Sequence, residues 1–265
     1  MEKGLKIGIV SLGLIGGSIL KALYNKYECY CYSTSSPDNA FKYTKNISND
    51  IKIISDCDII FVCSPISKTL DVLKKLNDFL KPSTIVLDCA SCKKELLNKK
   101  FNFNFILSHP MAGKEQTGFE ASDEFLFKDS KWLIEKNNTI AEEIIKETGA
   151  IPFVVDMTQH DYMCAQISHL PMLLAYSLFY GADDNSKKIA SSGFRDMTRL
   201  ASNPKMSVDM LEFNNKNINK ALDCLINNIN NLKKLSYDEK IKLFNELSIK
   251  RAKMYNKDGK NVFKV

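Results

Sequence analysis

Residues 107–118, which read LSHPMAGKEQTG, contain one of only three histidines in the 265-residue chain. Proline disfavours the helical conformation in the residue that precedes it, so His109 is not expected inside a helix. We expect His109 to leave the end of a strand and enter a loop, where open α/β sheets place their active sites. An imidazole has a pKa of about 6.5, and there it could transfer a proton at neutral pH beside a bound cofactor.

A glycine-rich turn, Ser11–Ser18, follows a predicted strand and precedes a predicted helix. It matches the dinucleotide fingerprint G-x-G-x-x-G at Gly13 and Gly16, whereas Ser11 replaces the first glycine. The second glycine lets the backbone approach the pyrophosphate, and the third lets helix and strand pack closely. Amides at the helix start could hold the pyrophosphate, although such a turn can also occur without a nucleotide. The residues expected to contact the dinucleotide are Gly13, Leu14, Ile15, Gly16, Ser33, Ser64 and Pro65.

The sequence leaves the choice between NAD and NADP open. An acid at the end of the second strand would bind the ribose 2′-hydroxyl of NAD, and its absence leaves room for a 2′-phosphate. Here the strand ends in the hydroxyl-rich run Tyr32–Ser36, Asp38 follows slightly late, and no arginine lies close by in the sequence. We therefore expect either NAD or NADP as the cofactor.

Alternating strand and helix patterns predict the fold class. Apolar runs predict strands at residues 5–10, 27–33, 58–63, 84–87 and 103–107, with helices at 14–25 and 66–80. This alternation implies βαβ units and a parallel sheet. After about Asp156 only helical periodicity remains, and Asn203 before Pro204 is typical of a helix start. We expect an α/β Rossmann-type N-terminal domain over residues 1–156 and an all-α C-terminal domain over residues 157–265, to which the resemblance described below assigns dimerisation.

Composition excludes several classes of protein. The net charge of +6 comes from scattered lysines, which argues against nucleic acid as a partner and is compatible with an anionic substrate. No apolar run approaches the roughly 20 residues that a membrane span needs, and no signal-peptide pattern opens the chain. We expect a cytoplasmic protein with no membrane partner, whose eight cysteines are reduced. The pair Cys89 and Cys92 lacks a second pair at zinc spacing, so no metal site is expected.

Five motifs occur in order along the chain: GLIGGS at Gly13–Ser18, ASCK at Ala90–Lys93, SHPMAG at Ser108–Gly113, SHLP at Ser168–Pro171 and FRDMTRLA at Phe194–Ala201. Together they resemble the prephenate dehydrogenase family of tyrosine biosynthesis, which includes arogenate dehydrogenases. The resemblance extends to about residue 210. It implies an oxidoreductase that decarboxylates prephenate or arogenate with hydride transfer to NAD(P). It also implies a homodimer, for which the apolar helical faces in residues 206–213 and 222–232 would supply the interface.

The resemblance further implies roles for individual residues. His109 matches the base that takes the substrate hydroxyl proton, and Ser91 matches the serine that orients this histidine and touches the substrate. Arg199 matches the arginine that clamps a substrate carboxylate, and a planar guanidinium does so through two parallel hydrogen bonds. His169 matches the histidine that contacts prephenate from the helical domain.

Two further cations fall near the expected substrate pocket. Lys114 stands where the family often has threonine, and it could touch the substrate side chain or point to solvent. Arg195 falls where the family often has a basic residue near the pocket mouth, and we expect it to pair with Asp161 or Glu115.

The remaining histidine, His160, is expected to have a structural role. It lies nine residues before His169 on one predicted helix, and at about 100° per residue the two side chains would face opposite sides. They would then not enter one pocket.

The sequence departs from the family pattern at Met172, Ser192 and Ser207. These departures leave open whether the substrate is prephenate or arogenate and whether tyrosine inhibits the enzyme. A β-hydroxyacid dehydrogenase is a rival, but those enzymes use a catalytic lysine on the helical side, and the HPMAG segment argues against it. A non-catalytic nucleotide-binding or redox-sensing protein is another. Ser11 and the missing acid favour that sensor, whereas the joint presence of Ser91, His109 and Arg199 argues against it.

Overall fold

A computed structural model describes residues 4–35 and 38–255 of the chain. Within these ranges six parallel strands form the main sheet: β1 (Lys6–Val10), β2 (Glu28–Tyr32), β3 (Ile47–Ser48), β4 (Ile59–Val62), β5 (Ile85–Asp88) and β6 (Asn104–Ile106). Their spatial order is β3-β2-β1-β4-β5-β6, the order of doubly wound dinucleotide-binding folds. The order reverses between β1 and β4, so a ligand crevice is expected at the carboxyl ends of these strands.

The central strands of this sheet are continuous apolar runs. All four residues of β4 and of β5 are buried, as is typical of parallel strands that are covered on both faces. The five strands predicted from such runs are all present, whereas the two-residue strand β3 was not predicted. A strand of two residues is too short to show a pattern of period two.

A second, smaller sheet carries His109. Its strands are β7 (Ser108–Pro110), β8 (Lys131–Ile134) and β9 (Ile151–Val154). His109 pairs with Leu133 in an antiparallel ladder, so the expectation that it lies in a loop is wrong. The residue before a proline favours extended backbone, and an edge strand such as β7 satisfies that preference as well as a loop does.

Helices cover the sheets in the first part of the chain. They are α1 (Leu14–Leu23), α2 (Ile66–Asn77) and α3 (Thr139–Glu147), with short 3-10 helices at Asp38–Lys42 and Ile51–Ile54. The first two helices begin where the sequence predicts and end two or three residues earlier. Gly16 of α1 is buried against Ser11 and Ile9 at the end of β1, which gives α1 the close approach that the fingerprint requires.

From residue 157 the described chain is helical: α4 (Met157–Cys164), a π-helical turn (Ala165–His169), α5 (Leu170–Gly181), α6 (Asp184–Lys187), α7 (Ser192–Thr198), α8 (Pro204–Phe213), α9 (Asn215–Lys234) and α10 (Tyr237–Met254). Asn203 caps α8 by accepting from the Met206 amide, and Pro204 is its first residue, as predicted. The expected Rossmann-type domain followed by a helical region is confirmed. The boundary at residue 156 stays a prediction.

Two compact units can be distinguished among the described residues, and they divide between Ile218 and Asn219. The first unit contains both sheets, α1 to α8 and the first residues of α9. The second contains the rest of α9 and α10. No helix in the described part of the chain is long and apolar enough to cross a membrane.

Candidate active site

The glycine-rich turn lies at the carboxyl end of β1. Ser11 has φ 74°, the left-handed conformation that glycine adopts without strain, and its amide donates to the Tyr32 carbonyl at 2.8 Å. A side chain at Gly16 would collide with the Ser11 carbonyl oxygen. A Cβ on Gly13 would meet no heavy atom within 4 Å, so the backbone there faces open space. This cradle fits the pyrophosphate of a dinucleotide, and Ser11 takes the conformation of the glycine it replaces.

The other residues expected to contact the dinucleotide lie at the same edge of the main sheet. Ser33 directly follows β2 and is buried, with its hydroxyl donating to a backbone carbonyl two residues on at 2.6 Å. Ser64 and Pro65 lie between β4 and α2, and Pro65 is the N-cap of α2. Leu14 and Ile15 begin α1 and are half-buried. The edge therefore gathers all seven residues, whereas their contact with a nucleotide stays a prediction.

A line of hydrogen bonds runs inward from His109. Its Nδ1 lies 2.9 Å from Nε2 of His160, a fully buried residue of α4. The other nitrogen of His160, Nδ1, lies 2.8 Å from Oδ1 of Asp161. The Asp161 carboxylate also accepts the backbone amides of Lys93 at 2.7 Å and Lys94 at 2.9 Å. The loop after β5, the start of the helical region and strand β7 are thus joined through Asp161 and His160.

The surroundings of this line set its charge state. Burial lowers the pKa of His109 well below its usual value, and the neighbouring His160, Lys93 and His169 lower it further. Burial acts to raise the pKa of Asp161, but the hydrogen bonds from His160 and from the Lys93 amide outweigh burial and leave that pKa lowered. At neutral pH the site therefore holds an uncharged His109 and an ionised Asp161 carboxylate.

The expectation that His160 and His169 face opposite sides of one helix is wrong. The helix does not continue in α form to His169, because Ala165–His169 make a π-helical turn closed by the Leu170 amide on the Ala165 carbonyl. A π-helical turn accommodates about one extra residue, which reduces the angle between the two histidines from about 180° to about 80°. Pro171 is the sequence signal for this change, since proline cannot donate the next helical hydrogen bond.

A buried lysine holds the loop of Ser91 against β7. Ser91 is half-buried in the loop that follows β5. The Lys93 side chain is completely buried, and its ammonium pairs with Asp88 and donates to the carbonyls of Ala90 and Ser108. The Asp88 carboxylate in turn accepts the Ser108 amide at 2.9 Å. These bonds fix the Ser91 loop and the residue next to His109 as one assembly. This role of Lys93 was not predicted from the sequence.

His169 presents a donor to the site. Its Nδ1 lies 3.1 Å from the Asn214 amide nitrogen, which also donates to the Asp161 carbonyl at 2.6 Å. The Asn214 oxygen accepts from Asn217 at 2.8 Å, which orients the amide. His169 Nδ1 is therefore an acceptor, and its proton is on Nε2. That Nε2 is buried and has no hydrogen-bond partner among the described residues. Burial lowers the pKa of His169 to about 4, so the ring is neutral.

The predicted arginines lie on α7 and at its end, and both are exposed. Arg199 pairs with Glu115 in the segment after β7, and Arg195 pairs with its neighbour Asp196 at 3.2 Å. The expectation that Arg195 pairs with Asp161 or Glu115 is therefore wrong. Arg199 takes Glu115, and Asp161 is occupied within the buried site. The partnership of Arg199 lowers the pKa of Glu115.

Lys114 lies in the same segment and pairs with Asp123, with Nζ 2.7 Å from Oδ2. The Asp123 amide donates to the Ser18 hydroxyl of α1 at 2.9 Å. Lys114 therefore ties the segment after β7 to the helix of the glycine-rich turn. The two possibilities left open for Lys114, substrate contact and a solvent-facing side chain, stay predictions.

One group among the described residues could hold a metal ion: ligand atoms of His109, His160 and Cys164 lie within 4.8 Å of one another. Cys164 Sγ is 3.4 Å from His160 Nε2. Burial raises the pKa of Cys164 to about 12, so the thiol keeps its proton at neutral pH and is a poor ligand. Hydrogen bonds account for these contacts.

Comparison with known proteins agrees with this geometry. The family model for the prephenate dehydrogenase nucleotide-binding domain matches residues 32–150, and that for the prephenate dehydrogenase dimerization domain matches residues 156–248. A prephenate dehydrogenase of Lactococcus lactis is 31% identical over 249 residues, which are 82% of this chain and 69% of that protein. A cyclohexadienyl dehydrogenase of Zymomonas mobilis is 28% identical over 256 residues, 86% of this chain and 87% of that protein.

Solved structures give the same answer. The prephenate dehydrogenase of A. aeolicus in complex with hydroxyphenyl propionate and NAD+ matches with a TM-score of 0.80 at 25% identity, covering 93% of this chain and 97% of that one. Synechocystis arogenate dehydrogenase matches with a TM-score of 0.77 at 26% identity, covering 93% and 99%. The chain, with its dinucleotide turn, its buried histidine line and its helical region, belongs to the prephenate dehydrogenase family.

Proposed function

We propose that the protein is a prephenate dehydrogenase. It converts prephenate to 4-hydroxyphenylpyruvate and carbon dioxide in tyrosine biosynthesis, with NAD or NADP as hydride acceptor. The observation that carries this proposal is a neutral His109, held through Nδ1, in the strand that follows β6 of a dinucleotide-binding sheet. Membership of the family supports the reaction class.

His109 serves as the base for the ring hydroxyl. The bound nicotinamide supplies the acceptor for the hydride that leaves the carbon bearing this hydroxyl. Positive charge develops on that carbon as the hydride leaves, which makes the hydroxyl strongly acidic. A neutral imidazole with a lowered pKa is therefore a sufficient base. Loss of carbon dioxide moves an electron pair onto the ring oxygen, and the His109 imidazolium can return the proton to it. Ser91, held beside β7 through Lys93, orients the hydroxyl.

Two further residues bind the rest of the substrate. Prephenate carries two carboxylates, and the Arg199 guanidinium is 60% exposed and pairs only at one nitrogen with Glu115. A substrate carboxylate can replace Glu115 and form two parallel hydrogen bonds. The buried Nε2 donor of His169 supplies a second contact, and an unpaired buried donor gains free energy when a ligand oxygen reaches it.

Arogenate is the second candidate substrate, because the similar proteins include an arogenate dehydrogenase. Arogenate carries an ammonium group where prephenate has a keto oxygen. The Glu115–Arg199 pair brings α7, with Arg195, beside the segment that carries Lys114. Each of the three cations in this region pairs with a carboxylate, so these charges do not select between the two substrates, and prephenate is proposed from the match to the family.

The protein is proposed to act as a cytoplasmic homodimer. The match to a family dimerization domain supports the dimer, and α8 exposes apolar residues such as Met206 and Val208. All eight cysteines are unpaired thiols, as in a reducing compartment. Light scattering at micromolar concentration tests the dimer, and a monomeric mass would contradict it.

One assay tests the reaction. The purified protein is mixed with prephenate, and reduced nicotinamide is followed by absorbance with NAD and NADP in separate cuvettes. Both measurements are repeated with arogenate, and a His109→Ala variant is the control. Growth of absorbance with prephenate that the variant lacks supports the proposal. An increase in absorbance with arogenate alone would identify arogenate as the substrate and would leave the proposed role of His109 unchanged. Silence in all four cuvettes with nucleotide binding intact contradicts the proposal and favours a sensor.

A further inference from the structure

We propose that Asp161 and His160 are positioning residues that fix the tautomer of His109, so that its Nε2 presents a bare lone pair to the substrate. The inference rests on the proposed role of His109 as the base. A base must offer a nitrogen without a proton, and the nitrogen that lacks it is decided by the hydrogen bond made at the other one. The hydrogen-bond line from Asp161 determines that bond.

In the hydrogen bond between Asp161 and His160, the histidine is the donor. The lowered pKa of Asp161 keeps its carboxylate ionised, and an ionised carboxylate can only accept hydrogen bonds. His160 Nδ1, 2.8 Å away, must therefore donate. The other nitrogen of His160, Nε2, lies 3.4 Å from Cys164 Sγ, and burial raises the pKa of that thiol to about 12. The thiol therefore keeps its proton and donates, which makes His160 Nε2 an acceptor.

The direction of this hydrogen bond determines the direction of the bond between His160 and His109. Because His160 Nε2 accepts, His109 Nδ1 donates across the 2.9 Å bond. The proton of neutral His109 is therefore on Nδ1, and Nε2 is free of protons. An imidazole in water prefers the opposite tautomer, with its proton on Nε2. Without His160, most His109 rings would carry a proton on the nitrogen that has to accept one.

The line also affects His109 after proton transfer. The charged and titratable groups that face His109 are His160, Lys93, His169 and Cys164, and the first three disfavour its cationic form. The Lys93 charge is itself paired with Asp88. When His109 becomes an imidazolium, its bond to His160 becomes charge-assisted and stronger, and the Asp161 carboxylate lies behind that bond. The line thus sets the ground-state tautomer, and its hydrogen bond to His109 persists after proton transfer.

A matched pair of variants at His160 tests the proposal. His160→Leu removes the acceptor for His109 Nδ1. His160→Gln keeps a carbonyl oxygen for His109 and an amide donor for Asp161. We expect His160→Leu to lower kcat by about 100-fold to 1,000-fold, the size of a general-base contribution, with KM for prephenate within about threefold. His160→Gln should stay within about tenfold of the wild-type kcat. Equal Tm values for the two variants exclude a difference in folding.

A second measurement needs no turnover. Imidazole nitrogen-15 shifts of the full-length protein report which nitrogen of His109 carries the proton, and a His109→Ala variant assigns the signals. The wild type and His160→Gln should show a proton on Nδ1 at pH 7.5, and His160→Leu should move it toward Nε2. The acid limb of kcat against pH should shift in His160→Leu and remain in place in His160→Gln.

Three results would overturn the inference: a wild-type His109 protonated on Nε2, a His160→Leu variant that keeps kcat within threefold, or equal loss of kcat in both variants with unchanged tautomers. If the wild type turns over no substrate, the proposed function fails, and the nitrogen-15 shifts still decide the tautomer on their own.

Discussion

Replacing Lys93 by methionine removes a completely buried ammonium and leaves the Asp88 carboxylate buried without its counter-ion. Methionine fills a similar volume, so the variant deletes charge and hydrogen bonds with little loss of packing. The carbonyl oxygens of Ala90 and Ser108 lose a donor at the same time. Breaking a buried ion pair by removing one partner costs about 3–5 kcal/mol of unfolding free energy. In a chain of this size that corresponds to a Tm lower by about 6–20 °C.

The exposed pair of Lys81 and Asp56 supplies the control. Its nitrogen and oxygen are 2.9 Å apart, but the two side chains are 64% and 74% exposed. Surface pairs contribute at most about 1 kcal/mol, so Lys81→Met should change Tm by no more than a few degrees. Both variants are compared by thermal and urea unfolding.

A double variant separates the unpaired charge from general disruption. Lys93→Met with Asp88→Asn removes both charges, so the penalty of an isolated buried carboxylate disappears. We expect the double variant to recover at least about 1 kcal/mol over Lys93→Met alone. The reasoning is refuted if Lys93→Met unfolds like Lys81→Met, or if the double variant is less stable than Lys93→Met by the full cost of a second independent substitution.

Other substitutions and a pH series test the remaining parts of the site. A Cβ at Gly16 would collide with the Ser11 carbonyl oxygen, so Gly16→Ala should cost about 1–3 kcal/mol of stability and weaken nucleotide binding, measured by calorimetry, about tenfold or more. A Cβ at Gly13 would meet no heavy atom within 4 Å, so Gly13→Ala should weaken nucleotide binding with Tm nearly unchanged. In an Asn214→Asp variant the new carboxylate would accept a hydrogen bond from His169 Nδ1, so that His169 Nε2 would become an acceptor instead of a donor. We expect KM for prephenate to rise about tenfold and the nucleotide affinity to stay unchanged. Since burial lowers the pKa of His109, kcat/KM should remain flat on the acid side until below pH 6.5, and an acid limb above that value would contradict the neutral buried base. The pKa of His169 is lowered to about 4, so its stabilising contribution is complete above the unfolded pKa of about 6.5 and is lost as the pH falls toward 4. Over that pH range Tm should fall by the equivalent of about 3 kcal/mol of unfolding free energy. In His169→Gln, Tm should fall less steeply with pH.

Local patterns were sufficient to predict five of the six strands of the main sheet. Central strands such as β4 and β5 are buried on both faces and therefore appear in the sequence as continuous apolar runs, and the glycine-rich turn follows the first run directly. The small sheet was missed because β7 has three residues and pairs with a strand more than 20 residues away. Its short segments have no periodicity of their own, and pairing with distant residues decides them.

The buried parts of the site were beyond sequence reasoning for a different reason. Lysine is rarely buried unless paired, and the burial of Lys93 depends on an aspartate and two carbonyls that only the folded chain brings together. The error at His160 came from assuming a constant 3.6 residues per turn. One π-helical turn between His160 and His169 changes which side chains share a pocket, although it leaves the hydrophobic pattern of the helix almost unaltered.

The site uses two neutral histidines with opposite hydrogen-bonding roles, and one residue connects both. Asp161 directs His109 through its carboxylate and His160, which leaves an acceptor nitrogen for the substrate hydroxyl. The backbone carbonyl of the same residue holds the Asn214 amide, which makes His169 a donor at Nε2. A base and a donor of nearly identical chemistry therefore differ only in the polarity of the partner at Nδ1. Any displacement of α4 at Asp161 would change both partners together, so binding and proton transfer should be lost together rather than one at a time.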